Sequence, residues 1–189
     1  MPLVLATTSP RRAELMRAAG FQFEVIAPPM VEPDERHPHV DPGSYAESLA
    51  FFKASSIADQ HPKKHILSAD TIAYIDGEII GKPDDRADAC RILKKLSNTT
   101  HQVVTGVALI HPATERRHIA HEVSMIRCRP LSDEMIGAYL DTGQWQGKAG
   151  AYGIQDRNDP FVECLEGSFS NVVGLPMEMI ARIFADWCS

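Results

Sequence analysis

Two adjacent arginines follow a serine and a proline in the run Ser9-Pro10-Arg11-Arg12, directly after a short apolar stretch at residues 3–7. Serine is a preferred N-cap residue and proline suits the first helical position, so this run predicts a loop that opens a helix. A helix N-terminus offers unpaired N–H groups and the positive end of the dipole, and arginine holds phosphate oxygens with a planar fork. The run is therefore a candidate phosphate site, with a capped surface helix carrying solvated arginines as the alternative.

Asp70 and Glu32 are the candidate carboxylates for metal binding or water activation. Asp70 is expected at the end of a strand, where an aspartate often serves only as a turn former. Glu32 lies in the proline-rich stretch at residues 28–42, where a solvated loop carboxylate is the alternative. If the two carboxylates converge, they suit Mg²⁺, which prefers oxygen ligands and keeps several waters together with substrate phosphates.

Two lysines and a glycine-rich segment add candidate ligand contacts. Lys53 lies within a predicted helix, and Lys82 lies between a glycine and a proline. Each is also compatible with a surface lysine whose stem covers apolar neighbours. With the two arginines they supply four positive charges, which match a triphosphate. Residues 148–155 bring small residues, an aromatic ring and the amide of Gln155, which can read the edge of a base, although a glycine-rich turn before a strand has the same pattern.

The elements that must position these residues alternate between strand and helix. A strand at 3–7 and a helix that closes at Gly20 come first, and a helix at about 43–60 should carry Tyr45, Leu49, Phe52 and Ser56 on one side. The Asp76-Gly77 pair predicts a hairpin between 72–75 and 78–80. Further helices are expected at 85–96, from Ser132 to about residue 140, and at 176–187, with strands at 21–26, 102–110 and 118–129 and a hairpin around residues 161–165. This order predicts a single α/β domain over residues 1–189 with a mixed sheet.

Composition narrows the possible functions. The 189 residues hold 19 Lys+Arg against 25 Asp+Glu, a formal net charge of -6, which argues against a general nucleic-acid binder. The four cysteines form no CxxC motif, so we expect neither a zinc site nor a disulfide framework. No apolar run reaches the roughly 20 residues that span a bilayer, and charged residues come too early for a signal peptide. We therefore expect a cytoplasmic protein without membrane or nucleic-acid partners, and exposed apolar surface on the later strands is compatible with a homodimer.

Taken together, the motifs resemble those of the Maf family of nucleoside triphosphate pyrophosphatases. The resemblance covers nearly the whole chain in the family's order: residues 5–12, Glu32, Lys53-Ala54, Ala69-Asp70-Thr71, Gly81-Lys82-Pro83, residues 101–105, residues 148–155 and residues 172–176. It implies an elongated mixed α/β fold like that of the inosine triphosphatases, with a cleft between two lobes.

The resemblance also implies an activity and the residues that perform it. The expected enzyme hydrolyses a nucleoside triphosphate between its α and β phosphates and requires a divalent metal, Mg²⁺ or Mn²⁺. The resemblance implies Asp70 as the general base and Arg12, Thr71 and Gln155 as the residues that set substrate choice. We further hypothesise that Asp70 and Glu32 bind the metal, which leaves open whether Asp70 acts mainly as base or as ligand. In the same hypothesis the triphosphate and the growing charge on pyrophosphate are held by Ser9, Arg11, Arg12 and the catalytic residues Lys53 and Lys82.

The motifs at Ser9-Pro10-Arg11-Arg12 and residues 148–155 resemble those of the branch that acts on dTTP and UTP. Two other activities stay open as alternatives: a 7-methyl-GTP pyrophosphatase, and a non-catalytic nucleotide-binding regulator of septum formation. Two residues depart from the family pattern, because Ser68 and Asp156 stand where glycine is common. Asp156 adjoins Gln155, so base preference is less firmly predicted than reaction type.

Overall fold

A mixed sheet of seven strands, flanked by helices, forms the framework of the structure, a computed structural model that describes residues 1–29, 40–154 and 161–188. The strands are β1 (Leu3–Ala6), β2 (Glu24–Ile26), β3 (His65–Ile75), β4 (Glu78–Ile80), β5 (Thr100–His111), β6 (Arg116–Cys128) and β7 (Val162–Glu166). The helices are α1 (Pro10–Ala18), α2 (Pro42–Ser55), α3 (Arg86–Leu96), α4 (Asp133–Asp141), α5 (Phe169–Val173) and α6 (Met177–Cys188). The expected mixed α/β class is confirmed.

Strand β3 is the long central strand of this sheet. The order is β2-β1-β3-β5-β6-β7, with β4 paired to β3 beside this path. Strands β2, β1 and β3 run parallel, whereas β3, β5, β6 and β7 pair antiparallel. Along one edge of β3, β1 pairs with residues 65–68 and β4 pairs with residues 73–75. Among the described residues this leaves residues 69–72 without a strand partner on that edge.

Asp70 lies at this opening, in the middle of a continuous strand rather than at a strand end as predicted. The prediction was wrong because the sequence around Asp70 reads as two shorter strands. The tertiary structure joins them, since β5 pairs with β3 from Ile66 to Tyr74 without interruption. Asp70 nevertheless lies at an unpaired part of the β3 edge, because β1 pairs with β3 only as far as Ser68 and β4 pairs with it only from Ala73 onward.

Alternating side chains of the sheet feed apolar clusters on its two faces, as strand geometry requires. On one face, Leu5 and Leu67 pack with Met16 of α1 and Ile180 of α6. Farther along the same face, a second cluster joins Ala73 and Val103 to residues of α3 and α4. On the opposite face, Val4, Ile66 and Ala108 pack against α2. Helix α2 therefore covers one face, and two helical groups divide the other.

Helix α2 packs closely on the sheet through small residues. Its buried side includes Ala46, Ala50 and Ala54, whereas Phe52 is 55% exposed. Of the side predicted from Tyr45, Leu49, Phe52 and Ser56, Leu49 is buried and Tyr45 packs partly buried against the core, whereas Phe52 lies outside the packing face. A Cβ built at Gly106 of β5 would come within 2.2–2.4 Å of the backbone of residues 46–47, so only glycine fits there. The strand and the helix meet backbone to backbone at this point.

Several local predictions hold in the structure. Asp76 and Gly77 both have positive φ, 52° and 83°, which is the type I′ geometry that a two-residue hairpin needs. The side chain of Ser132 accepts a hydrogen bond from the Met135 N–H and caps α4. Helix α5 was not predicted, since it has only five residues. None of the helices in the described segments is long and apolar enough to cross a bilayer.

Candidate active site

The N-terminus of α1 opens directly after β1, as the Ser-Pro-Arg-Arg run predicts. Ser9 is the N-cap residue and Pro10 the first helical residue, yet the Ser9 hydroxyl makes no capping hydrogen bond. The Ser9 N–H instead donates to Thr7 Oγ1 at 3.0 Å. Because the hydroxyl is not used to cap the helix, it can serve a ligand at this end of α1.

The two arginines reach to different loops. Arg11 Nη2 donates to the carbonyl of Gly147 at 3.3 Å, and Arg12 Nε donates to the carbonyl of Gly174 at 2.7 Å. These partners lie 136 and 162 residues away in the chain. The arginine pair thus connects the start of α1 to the glycine-rich segment and to the end of α5.

Arg12 also begins a chain of hydrogen bonds across β3 and β5. Its Nη2 donates to Thr71 Oγ1 at 3.1 Å, and the Thr71 and Thr105 hydroxyls are 2.9 Å apart. Thr105 Oγ1 donates to the carbonyl of Asn171 at 3.0 Å. Thr71 and Thr105 are directly paired in the sheet register, which explains why their side chains meet on one face.

Asp70 and Lys53 form a buried ion pair on the face covered by α2. The Lys53 ammonium contacts Asp70 Oδ1, and the two residues are 7% and 5% exposed. The close approach of α2 at Gly106, the residue paired with Asp70 in β5, brings Lys53 within reach. Because the pair uses only Oδ1, the carboxylate retains acceptor capacity for a water molecule or a cation.

A single cleft collects most of the predicted site residues. Its walls include Ser9, Arg11, Arg12, Asp70, Thr71 and Lys82. Asp70 and Thr71 leave β3 on opposite faces but both border the cleft, because the cleft lies at the unpaired edge of residues 69–72. Lys53 lies behind Asp70 rather than in the cleft wall. Glu32 and Gln155 lie outside the described residues.

The rest of the cleft wall divides into a polar and an apolar part. Lys148 adds a fourth cation beside Arg11, Arg12 and Lys82, with Asp70 as the acidic residue among the described wall residues. The apolar part includes Ala73, Val103, Tyr152, Ile154 and Val172. Charged and apolar wall residues in one cleft suit a ligand with a polyanionic tail and a planar head.

The glycine-rich segment is fixed beside Lys82 by its own backbone. The Gly150 N–H donates to the carbonyl of Gly81 at 3.1 Å, one residue before Lys82. Gly150 has φ +72°, and a Cβ there would approach the Tyr152 ring to 3.2 Å, so glycine is required both for conformation and for space. This contact brings Lys148 and Lys82 to the same side of the cleft.

Lys148, Thr105 and His101 contribute to the site without having been predicted to act there. Lys148 belongs to the glycine-rich motif, so its position in that motif was the available signal. Thr105 and His101 belong to the motif at residues 101–105, but their contacts depend on strand register and on tertiary packing. His101 Nε2 lies 2.7 Å from the hydroxyl of Tyr152, and the two rings meet edge to face at 5.6 Å.

His101 is a neutral buried histidine beneath the cleft wall. It is 1% exposed, and burial lowers its pKa from 6.5 to about 4 because the imidazolium loses its hydration. Its Nδ1 lies 3.9 Å from the sulfur of Cys128. The neutral ring therefore holds the Tyr152 hydroxyl, and through it the tyrosine ring that borders the cleft.

Comparisons with known proteins show which proteins this chain is similar to. A family described as Maf-like protein matches residues 2–187. A dTTP/UTP pyrophosphatase from Symbiobacterium thermophilum is 44% identical over 98% of this chain and 93% of its own length. A dTTP/UTP pyrophosphatase from Elusimicrobium minutum is 37% identical over 99% of both chains. Among solved structures, a nucleoside-triphosphatase/dITP/XTP pyrophosphatase from Mycobacterium abscessus covers 98% of this chain and 95% of its own, with a TM-score of 0.49 and 17% identity.

Proposed function

The chain belongs to the Maf family, and we propose that its cleft hydrolyses dTTP and UTP to the nucleoside monophosphate and pyrophosphate. The observation that carries this proposal is the convergence of four cations and one carboxylate in the wall of a cleft that is also lined by apolar residues. Such an arrangement matches the triphosphate and the base of a single nucleotide. The activity named for the two relatives, both matched along nearly their whole length, supports the same choice.

In this proposal the cationic residues of the cleft wall hold the triphosphate. Ser9 and the first turn of α1 offer hydrogen-bond donors, and Arg11, Arg12, Lys82 and Lys148 provide the positive charge. Charge accumulates on the departing pyrophosphate as the bond between the α and β phosphates breaks. Fixed cations stabilise that charge, and phosphoryl transfer depends mainly on such positioning and electrostatics.

Asp70 is the proposed general base. Water adds to the phosphorus atom under attack, its proton passes to the Asp70 carboxylate, and the pyrophosphate leaves. The ion pair with Lys53 orients the carboxylate through Oδ1, so its second oxygen remains directed to other partners. Lys53 thus acts through Asp70 in this proposal, whereas the sequence predicted that it holds the triphosphate.

A divalent cation fits the donor set at Asp70. Mg²⁺ is commonly bound by one or two carboxylates and by the phosphates of the substrate, which the cleft brings together. Within residues 1–29, 40–154 and 161–188 there is no cluster of three or more metal-ligating side chains. The bound cation would neutralise phosphate charge. Asp70 and Glu32 are its proposed ligands.

The apolar residues of the cleft wall are proposed to hold the base. Ala73, Val103 and Tyr152 provide the walls, and Thr71 offers a polar atom next to them. Gln155 is proposed to read the base edge together with Thr71, because it follows Ile154 of the cleft wall directly in the chain. Location in the cytoplasm and assembly as a homodimer stay predictions from the sequence.

The test is a pyrophosphate-release assay with Mg²⁺ on dTTP, UTP, CTP, ATP, GTP and 7-methyl-GTP. We expect the highest kcat/KM on dTTP and UTP. Asp70→Asn should lower turnover by about 100-fold or more, the contribution of a general base, while its remaining side-chain oxygen still accepts from Lys53. Asp59→Asn is the matched control and should keep full activity, because Asp59 is an exposed residue that follows α2 in the chain.

Three results would separate the alternatives. Highest turnover on 7-methyl-GTP would replace the proposed substrate. Tight binding of dTTP without pyrophosphate release would favour a non-catalytic regulator. Near-normal turnover by a folded Asp70→Asn variant would remove Asp70 from the role of base.

A further inference from the structure

The hydroxyls of Thr71 and Thr105 form a pair in which one member faces the cleft and the other is enclosed. Thr71 is half-buried and borders the cleft, whereas Thr105 is fully buried at 0% exposure. Their oxygens are 2.9 Å apart, so one hydroxyl donates to the other. Which one donates decides what Thr71 can offer to a ligand.

Each threonine hydroxyl carries a single hydrogen, and the buried partner fixes the direction. Thr105 Oγ1 lies 3.0 Å from the carbonyl oxygen of Asn171, which can only accept. When Thr105 donates to that carbonyl, Thr71 must donate to Thr105, and both bonds form. In the reverse arrangement Thr105 donates to Thr71, its bond to Asn171 is lost, and its buried oxygen receives no donor from Thr71. The first arrangement has one more hydrogen bond in a buried place, where an unmade bond is costly.

When Thr71 donates to Thr105, the Thr71 hydroxyl can only accept a hydrogen bond from a ligand. Its hydrogen is used by Thr105, and one of its two lone pairs accepts from Arg12 Nη2 at 3.1 Å. The remaining lone pair can only accept a hydrogen bond. Thr71 shares the cleft wall with Ala73 and Val103, the apolar residues proposed above as walls for the base.

We propose that Thr105 is a positioning residue that makes Thr71 an acceptor, and that this selects bases with an N–H at the reading position. Uracil and thymine have a hydrogen on N3, whereas cytosine has a lone pair there. Two acceptors facing each other repel, so the pair would admit dTTP and UTP and disfavour CTP. This inference rests on the proposed function and adds the origin of its base selectivity.

The test compares Thr105→Val with Thr105→Ser. Valine has nearly the same shape but cannot accept from Thr71, whose hydroxyl is then released to donate to a cytosine N3. The Asn171 carbonyl keeps a donor in that variant, because the Gly174 N–H lies 3.0 Å away. Serine retains the hydroxyl and serves as the matched control. The readout is the ratio of kcat/KM for UTP to kcat/KM for CTP, with the thermal midpoint recorded for each protein.

We expect Thr105→Val to lower the UTP/CTP ratio about fivefold or more, the value of one neutral hydrogen bond, and Thr105→Ser to keep the wild-type ratio. A merely structural role would lower both rates together and leave the ratio unchanged, which would overturn the inference. If Thr105→Val does not fold, Thr105→Cys replaces it, because sulfur is a weak acceptor and the same fall in ratio is expected. Wild-type protein that hydrolyses neither UTP nor dTTP would instead refute the proposed function.

Discussion

His101 shows how one buried side chain ties the stability of this protein to pH. Its pKa falls from 6.5 to about 4 on folding because burial disfavours the charged ring. Between these two values the unfolded chain binds a proton that the folded protein does not. The stabilisation from the neutral ring is therefore complete above about pH 6.5 and is lost as the pH falls towards 4.

The corresponding prediction concerns unfolding in urea at pH 7.5 and pH 5. The pKa difference at His101 should reduce the free energy of unfolding by about 2 kcal/mol between these two conditions. His101→Gln removes this titration while keeping a polar partner for Tyr152. The free energy of unfolding of this variant should therefore fall less between pH 7.5 and pH 5 than that of the wild type, by about 2 kcal/mol. His118→Gln, on β6, is the control and should behave as the wild type. An unchanged pH dependence in His101→Gln would contradict the assignment.

At this scale the sequence indicated the residue types more readily than their contacts. Ser9, Arg11, Arg12, Asp70 and Lys82 were identified from motifs and all border the cleft. Thr105 was not, because its importance depends on lying opposite Thr71 in the register of two strands 34 positions apart in the chain. Motifs report which chemistry is available, and only the register shows which side chains share hydrogen bonds.

At the scale of secondary-structure elements, the close packing of α2 on β5 places Lys53 in contact with Asp70. The helix approaches the sheet through alanines, and Gly106 lies directly beneath it, paired with Asp70. The sequence predicted the existence of α2 but only part of its packing face, because the aromatic residues suggested a larger apolar side. Close backbone contact made small residues the buried ones, and Phe52 was left outside.

Gly106→Ala tests this contact. The new Cβ would lie within 2.2–2.4 Å of backbone atoms of residues 46–47, so α2 must move away from the sheet. We expect a loss of about 3 kcal/mol or more in the free energy of unfolding, at the upper end for overpacking, and reduced turnover because α2 carries Lys53. Chemical denaturation and the pyrophosphate assay measure both effects.

Gly137→Ala is the matched control for that substitution. Gly137 lies within α4, and a Cβ there meets no atom within 4 Å. Alanine is a better helix former than glycine by about 1 kcal/mol, so this variant should be as stable as the wild type or more so. Equal stability of the two alanine variants would show that the close packing at Gly106 is not required.

For the whole molecule, the distribution of charge matters more than its sum. The chain has a formal net charge of -6, yet the described cleft wall holds Arg11, Arg12, Lys82 and Lys148 with Asp70 as its acidic member. The acidic sum predicts that long polyanions are not general partners, because their binding depends on many basic contacts. It says nothing about a short polyanion in a concave site, where a few cations act together over a short range.

Because cations line the cleft of an acidic protein, we expect the cleft cations rather than the net charge to determine how kcat/KM depends on salt. Raising NaCl from 50 to 300 mM should lower kcat/KM for UTP mainly through KM, because salt screens the attraction between the cations and the triphosphate. Lys148→Gln should raise KM about tenfold, the value of one charge-assisted hydrogen bond, and should weaken the salt dependence.

Lys94→Gln changes the net charge equally, but on the exposed side of α3, where Lys94 pairs with Asp133. It should retain the wild-type KM and salt response. If the two variants respond alike, the net charge governs binding and the cationic cleft does not.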